Sequence, residues 1–498
     1  MNGGNMVPSP AALASQALVS PGSAASLACV GRLLQSGEEH VLIEAIGDSV
    51  TRGPAKRSMS YPAVLQRLLR QQFPKAKLTI HNSGFNGATL DLLSACLQRM
   101  ASTAAKVVLI ETTDNLGFTT ARRAAELLQH MMRTLAARAM PRPQVILVSP
   151  FAQSCTRRVL RRQRGRQQML AMLNASASAR NTKIIAKANK SKLVLHESLE
   201  SSIEACFAAD ALPTAIEELA AQLGVPCVSM RAGLSNWLRS DPKSTLARYV
   251  GHDSVHPTLE GFELLARGCL NAFTQALEGQ VSDGGCFNDR AQSIGSLAPP
   301  PPPLPVLPTC AFGPEMRPFV LHQRDWEYTT EYSRQGHPKP GYIARAPGAV
   351  LDVCHRGKHV WQFAYLKSWE GMGRVRGSCE ESSGCTCMPR TWDGHTDKRV
   401  SQTTISKLVI THKKLSSEGT RSHNATCPCI VRLTVLADTS SQGHKFKVDA
   451  FFGSFHIYSG AELLTGTGDS AQLTAQIQQS SQQDTPGSPP TRTIGSNN

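Results

Sequence analysis

The stretch Val41-Leu42-Ile43-Glu44-Ala45-Ile46-Gly47-Asp48-Ser49-Val50-Thr51-Arg52-Gly53 decides the fold class. Val41–Ile46 is a short apolar run closed by Gly47, which reads as a buried strand. Ser49 follows directly, with Gly47 and Gly53 on either side. In an open α/β sheet the carboxyl end of a strand is the mouth where ligands bind. Glycines there let the backbone turn tightly and let a substrate come close. Taken alone, the turn reads equally well as a loop whose serine caps a helix.

Outward from this turn, strand and helix patterns alternate. Tyr61–Gln72 has helical spacing, with Leu65, Leu68 and Leu69 on one face. Leu78–His81 reads as a strand, Thr89–Met100 as a helix, Lys106–Glu111 as a strand, Ala121–Ala139 as a helix and Val145–Ser149 as a strand. Helical Glu217–Leu223, a strand at Pro226–Met230 and a last helix at Glu260–Leu277 complete the series. Such alternation predicts a parallel sheet covered on both faces. The rhythm is lost after Gly279, and Pro299–Pro303, Pro305 and Pro308 form an extended spacer. Beyond Cys310 the segments Lys407–His412, Ile430–Leu436 and Lys445–Phe452 are β-branched or aromatic, and Lys445–Phe451 alternates polar and apolar as a half-buried strand does. The expected organisation is a disordered leader over 1–40, an α/β domain over 41–277, a Pro-rich linker over 278–309, a Cys-rich, mostly β module over 310–465 and a disordered Ser/Gln/Thr-rich tail over 466–498.

Asp253-Ser254-Val255-His256-Pro257 precedes the last helix. A serine hydroxyl is a weak nucleophile at neutral pH. It needs a base, and the base needs an acceptor on its other ring nitrogen. Asp at i and His at i+3 can face each other across one turn, which leaves Nε2 free for a serine. A lone Asp/His pair usually marks a surface loop, but here it follows a Gly-Asp-Ser turn in the chain order such a mechanism needs.

These motifs resemble those of the SGNH hydrolases, also called the GDSL lipase/esterase superfamily. Gly47-Asp48-Ser49-Val50 matches its first block, Asn82-Ser83-Gly84-Phe85-Asn86-Gly87-Ala88-Thr89 its second and Asp253-Ser254-Val255-His256-Pro257 its fifth. Val107–Asn115 falls where the third belongs; Asn115 lies four residues after Glu111, as in the family, while Thr113 and Leu116 depart from the pattern. The resemblance covers roughly residues 41–277 and implies a flavodoxin-like parallel sheet with helices on both faces, to which the mostly β module is added. It also implies Ser49 as nucleophile, His256 as base and Asp253 as its orienting partner. The oxyanion hole would be built from the backbone N–H groups of Ser49 and Gly87 and the side-chain amide of Asn115. Asp48 is expected to hold the turn rather than to react. No cofactor and no catalytic metal are implied. The run Phe363-Ala-Tyr365-Leu366-Lys367-Ser368-Trp369 with the cysteines after it is reminiscent of C-terminal modules attached to SGNH-like domains in plant and algal proteins.

Composition narrows the alternatives. Of 498 residues, 41% are hydrophobic and 18% charged, enough for a core and unlike a wholly disordered chain. The 38 Gly and 30 Pro show no Gly-X-Y period, which removes collagen. A net charge of +16 favours anionic partners. The arginines Arg157, Arg158, Arg161, Arg162, Arg164 and Arg166 read first as a solvated basic helix and second as an acidic-glycan contact. Nucleic acid is disfavoured, because neither a groove-reading motif nor interleaved aromatics accompany the charge. No apolar run approaches the ~20 residues of a membrane-spanning helix.

Of 14 Cys, the six at 354, 379, 385, 387, 427 and 429 cluster, and Cys-x-Cys spacing favours three disulfides over a zinc site. Trp361, Trp369 and Trp392 read as core, with a sugar-stacking face as the alternative. The cysteines and the sequons at Asn174, Asn189 and Asn424 favour a secretory route, although the small, apolar first thirty residues lack the basic start of a signal peptide. Three readings of function follow. The first is a serine esterase hydrolysing or transferring an acyl group on a carbohydrate or lipid. The second is a catalytically lapsed SGNH-like glycan binder, and the third, motivated by charge alone, a nucleic-acid binder.

Overall fold

The computed structural model describes residues 9–22, 24–54, 57–112, 120–138, 142–150, 168, 211–240, 246–251, 253, 256–278, 309–332, 336, 338–356, 360–397, 401–412 and 427–453. The first layer is built from α1 (Pro10–Ala17), β1 (Leu18–Ser20), α2 (Ala24–Ser36), β2 (His40–Gly47), α3 (Ser49–Arg52), α4 (Tyr61–Gln72), β3 (Lys77–Gly84), α5 (Leu90–Met100), β4 (Val107–Glu111), α6 (Ala121–Arg138), β5 (Gln144–Ser149), α7 (Ala211–Leu223), β6 (Cys227–Ser229), α8 (Met230–Ser240) and α9 (Leu259–Glu278). Its six strands are ordered β1-β6-β5-β4-β2-β3. β2 to β6 are mutually parallel, and β1 lies antiparallel on β6. Read over the parallel strands alone, this is the flavodoxin-like order, whose switch point lies beside the first parallel strand, β2.

The period of two along the strands explains the helices on both faces. Val41, Ile43 and Ala45 of β2, Val107 and Leu109 of β4, and Ile146 and Val148 of β5 enter one hydrophobic cluster, with residues of α1, α2, α4 and α9. The intervening Ile46, Val108, Ile110 and Leu147 enter a second cluster, with α5, α6 and α7. All five residues of β4 are buried, as expected of a central parallel strand.

The amino-terminal region corrects the expectation of a disordered leader over 1–40. The Ser9 hydroxyl caps α1 by accepting from Ala12 N at 3.3 Å, and Pro10 occupies the first turn. There proline costs no hydrogen bond and its fixed φ suits the helix. Leu13, Ala14 and Ala17 are buried, and β1 extends the sheet through Leu18 opposite Val228. Pro10 and Pro21 therefore mark the boundaries of elements, Pro10 opening α1 and Pro21 following β1, and do not prevent them. The Pro-rich linker and the Ser/Gln/Thr-rich tail lie outside the described residues, as do the arginine cluster and the three sequons.

The carboxyl-terminal part is an antiparallel sandwich of β7 (Thr309–Phe312), β8 (Val320–Arg324), β9 (Trp326–Tyr332), β10 (Pro338–Ala344), β11 (Val350–His355), β12 (Val360–Lys367), β13 (Arg374–Cys379), β14 (Cys385–Cys387), β15 (Arg390–Asp393), β16 (Gln402–His412), β17 (Cys429–Val435) and β18 (Phe446–Gly453). One sheet runs β14-β16-β12-β18-β10-β9, with β7 also on β18, and the other runs β15-β13-β17-β11-β8. Trp361, Phe363, Tyr365 and Phe451 of the larger sheet meet Leu351, Val375, Trp392, Val431 and Leu433 of the smaller. Trp361 and Trp392 are thus core residues, while Trp369 is half-buried. The six clustered cysteines pair as three disulfides, Cys354–Cys427, Cys379–Cys387 and Cys385–Cys429.

The sandwich is not a separate bead. Cys310, Ala364, Ala450 and Phe452 on the outer face of its larger sheet share a hydrophobic cluster with Leu92, Leu93, Cys96 and Leu97 of α5. Fully burying a side chain the size of Phe452 is worth about 1.5–3 kcal/mol. A fourth disulfide, Cys96–Cys310, ties α5 to β7 across the same junction. This contact changes the reading of β18. The alternation Lys445–Phe451 leads one to expect a solvated polar face, but Lys447 is only 2% and Asp449 4% exposed. Their face of the sheet is covered as well.

Candidate active site

Ser49 begins α3, immediately after the carboxyl end of β2 and therefore at the switch point. Asp48 caps this short helix, its carboxylate accepting from Val50 N at 2.7 Å. The turn is pinned from below by Glu111 at the end of β4. Glu111 Oε2 accepts from Asp48 N at 2.8 Å, from Thr51 Oγ1 at 3.0 Å and from Thr51 N at 3.3 Å. Gly47 is required because a Cβ there would collide with the Thr51 hydroxyl and the Glu111 carboxyl group. Burial, reinforced by the charge of Asp48, pushes the Glu111 carboxyl well above the ordinary carboxylate range.

From the far end of the chain, the segment before α9 brings His256 to this turn. His256 Nε2 lies 2.9 Å from Ser49 Oγ. His256 Nδ1 lies 2.6 Å from Asp253 Oδ2, and Asp253 Oδ1 accepts from His256 N at 3.0 Å. Burial works against the imidazolium, but the hydrogen bond and charge of Asp253, with the charge of Asp48, outweigh it, so the His256 pKa lies above 6.5. The ammonium of Lys339, on β10, opposes that rise. A hydroxyl, a ring nitrogen and a carboxylate joined in this order can take a proton from the hydroxyl and stabilise the resulting cation.

Gly87 follows β3 with φ +74°, a conformation that favours glycine. Its carbonyl accepts from Thr403 N, on β16 of the sandwich, at 3.0 Å. The Thr403 hydroxyl donates to Asp449 Oδ2 at 2.9 Å. Asp449 Oδ1 lies 3.2 Å from Lys447 Nζ, which donates to the Lys339 carbonyl at 2.9 Å. A buried polar ladder in the sandwich thus ends on the Gly87 turn. Near Asp449 the pairing of β18 with β12 shifts register between Ala364 and Tyr365, the local irregularity that sheets often carry beside functional sites.

Between the Gly87 turn and the sandwich lies a cleft of about 300 Å³, lined by Arg52, Asn86, Gly87, Lys339, Thr403 and Asp449 among others. A second cavity of about 410 Å³ shares Arg52, Phe85 and Phe312 with it and is otherwise lined largely by α5.

Of the residues named from the sequence, Ser49, His256 and Asp253 are brought together and Gly87 stands at the cleft. Asn115, with Thr113, Asp114 and Leu116, lies outside the described residues. Glu111 served in the sequence only to count to Asn115, and its role under the Ser49 turn was missed. Lys339, Thr403, Lys447 and Asp449 were missed entirely. They are more than 280 residues from Ser49 and belong to no motif.

Two solved structures match nearly the whole fold. One is a two-domain esterase active on acetylated mannans, co-crystallised with mannopentaose; it is 14% identical, the match covers 88% of this chain and 97% of that chain, and the TM-score is 0.54. The other, also a two-domain esterase active on acetylated mannans, gives 14% identity, 88% and 98% coverage and a TM-score of 0.53. The likeness is one of fold. It spans both the α/β layer and the sandwich. An acetyl xylan esterase from Geobacillus stearothermophilus matches 47% of this chain and 94% of its own, at 17% identity and a TM-score of 0.30. No family model and no curated protein sequence matches the chain.

Proposed function

We propose that the protein is a serine esterase that releases an acyl group, such as acetyl, from an acylated carbohydrate. The observation that carries this reading is the hydrogen-bonded series Ser49–His256–Asp253 at the switch point of the sheet. Ser49 Oγ attacks the ester carbonyl while His256 Nε2 takes its proton, and Asp253 holds Nδ1–H and stabilises the imidazolium. The tetrahedral oxyanion is held by the N–H groups of Ser49 and Gly87 and by the amide of Asn115. Collapse breaks the bond to the alcohol, to which His256 returns the proton. A water molecule, deprotonated by the same nitrogen, then attacks the acyl-enzyme, and the bond to Ser49 Oγ breaks as His256 returns the proton to it, releasing the acid; a sugar hydroxyl in place of water would make the reaction a transfer.

The carbohydrate as the alcohol part is supported by the fold shared with esterases active on acetylated mannans and by a few polar side chains, Arg52, Asn86, Lys339, Thr403 and Asp449, set in an otherwise largely apolar cleft. The sandwich then acts as one wall of the active site. The esterase reading rather than the lapsed one is favoured by the hydrogen-bonding distances, which place His256 Nε2 within reach of the Ser49 proton and Asp253 on the other ring nitrogen. Ser49→Ala and His256→Ala should each abolish hydrolysis of p-nitrophenyl acetate while leaving the circular dichroism spectrum unchanged. Wild-type turnover in either folded variant would refute the assignment.

A further inference from the structure

Among the described residues, the cleft at the Gly87 turn carries two lysines, Lys339 and Lys447, and Arg52 against one carboxylate, Asp449, and the charge of Lys339 is felt at His256. Asp449 is already paired with Lys447 at 3.2 Å. Lys339 is half-buried on β10, and among the described residues its ammonium has no hydrogen-bond or ion-pair partner. Glu331, the other carboxylate that attracts it, is bound to Lys445 at 2.7 Å and to Arg345 at 3.3 Å. The backbone of Lys339 is held in β10, its carbonyl accepting from Lys447 Nζ. Burial and the neighbouring lysine charge depress its pKa, as expected of an ammonium that lacks a counter-ion.

A second observation points the same way. Among the described residues, neither buried polar atom of the Asn86 side chain has a hydrogen-bond partner, and Asn86 lines this cleft. Buried amides are nearly always paired, and an exception calls for an occupant. A sugar hydroxyl both donates and accepts, and so fits an amide.

Resting on the esterase reading, we propose that the cleft takes an anionic sugar: the ring that carries or adjoins the scissile ester bears a carboxylate or sulfate, which sits on the ammonium of Lys339, while a ring hydroxyl meets the amide of Asn86. The net charge of +16 would draw such a polyanion toward the protein, and Lys339 would select it at the site. Lys339 is thereby a specificity-determining residue that the sandwich supplies to a reaction carried out on the other layer.

The test is calorimetric binding of trigalacturonate, a monosulfated mannotriose and plain mannotriose to the intact wild-type chain, Lys339→Met and Lys339→Arg. Both anionic sugars, or one of them, should bind wild type about tenfold or more tighter than mannotriose, as expected of one charge-assisted hydrogen bond. Which of the two binds tighter identifies the anion. Lys339→Met should erase the difference, and Lys339→Arg should keep it. The preference should shrink as salt is raised, a readout that stands even where Lys339→Met fails to fold. Equal binding of neutral and anionic sugars, no binding of any of them, or an unchanged preference in Lys339→Met would overturn the inference. Because none of the probes carries an acyl ester, a preserved preference in a protein that hydrolyses no acyl ester would sink the esterase reading alone.

Discussion

Asp449→Asn removes one charge from the buried ladder and leaves its shape intact. Lys447 is 2% exposed, its ammonium is 3.2 Å from Asp449 Oδ1, and Asp449 Oδ2 accepts from Thr403 Oγ1 at 2.9 Å. Asparagine keeps an acceptor for Thr403 but leaves Lys447 charged in a covered interface. Breaking a buried pair by removing one partner typically costs about 3–5 kcal/mol, whereas replacing both charges by neutral groups is often nearly neutral. The single variant should therefore lose about 3 kcal/mol or more in urea unfolding, read as a lower midpoint at constant slope. The double variant Lys447→Met/Asp449→Asn should fall short of the summed single losses by about 2 kcal/mol, as expected of contacting residues. Because Thr403 N holds the Gly87 carbonyl, Asp449→Asn should also lower kcat for a short ester more than it changes KM. A loss of under about 1 kcal/mol in the single variant would refute the buried-pair argument. An unchanged kcat would refute the claim that the sandwich positions the Gly87 turn.

If the resemblance in the third block holds, Asn115→Ala should lower kcat by about 10²–10³ with little change in KM, because the amide acts in the transition state, while Asp114→Asn should be tolerated. Hydrolysis needs neutral His256, so kcat/KM should rise with pH through a limb above 6.5. Asp253→Asn removes the carboxylate that contributes most to that rise, so the limb should move to lower pH while the rate falls by about 10⁴; a limb moving upward would contradict the sign. A carboxyl whose folded pKa is raised contributes stability that is full below its unfolded pKa and is lost as pH rises through the folded value. The melting temperature of Glu111→Gln relative to wild type should therefore improve as pH rises above the ordinary carboxylate range. Cys310→Ser frees the tie to α5 and should cost about 2–5 kcal/mol, measured by urea unfolding under non-reducing conditions.

The α/β layer was legible because its strands and helices carry unmixed periods. β4 is apolar from Val107 to Ile110, and α4 repeats leucine on one face. The triad residues were legible because each sits in a short local motif. The leader was misread because an alanine-rich helix such as α1 has little amphipathic signal, and its burial comes from tertiary packing on α9. β18 was misread because alternation reports how side chains divide between two faces. It does not report what covers the polar face. The ladder from Lys447 to Gly87, the Lys339 site and the Cys96–Cys310 bridge all join the two layers. Such juxtapositions are set by packing, and a single sequence holds no periodicity that records them. Cys96 illustrates this: on α5 it reads as one more apolar helix position.

The claim on which the rest depends is that Ser49 is an activated nucleophile. An alkyl fluorophosphonate reacts with a serine only where a base removes its proton and an oxyanion site accepts the phosphoryl oxygen. The wild-type chain should be labelled at one equivalent, with the adduct mapped by mass spectrometry to the peptide containing Ser49. Ser49→Ala should take up no label, and His256→Ala should be labelled far more slowly. Labelling of Ser49→Ala to the wild-type extent, or no labelling of a folded wild-type protein, would contradict the account.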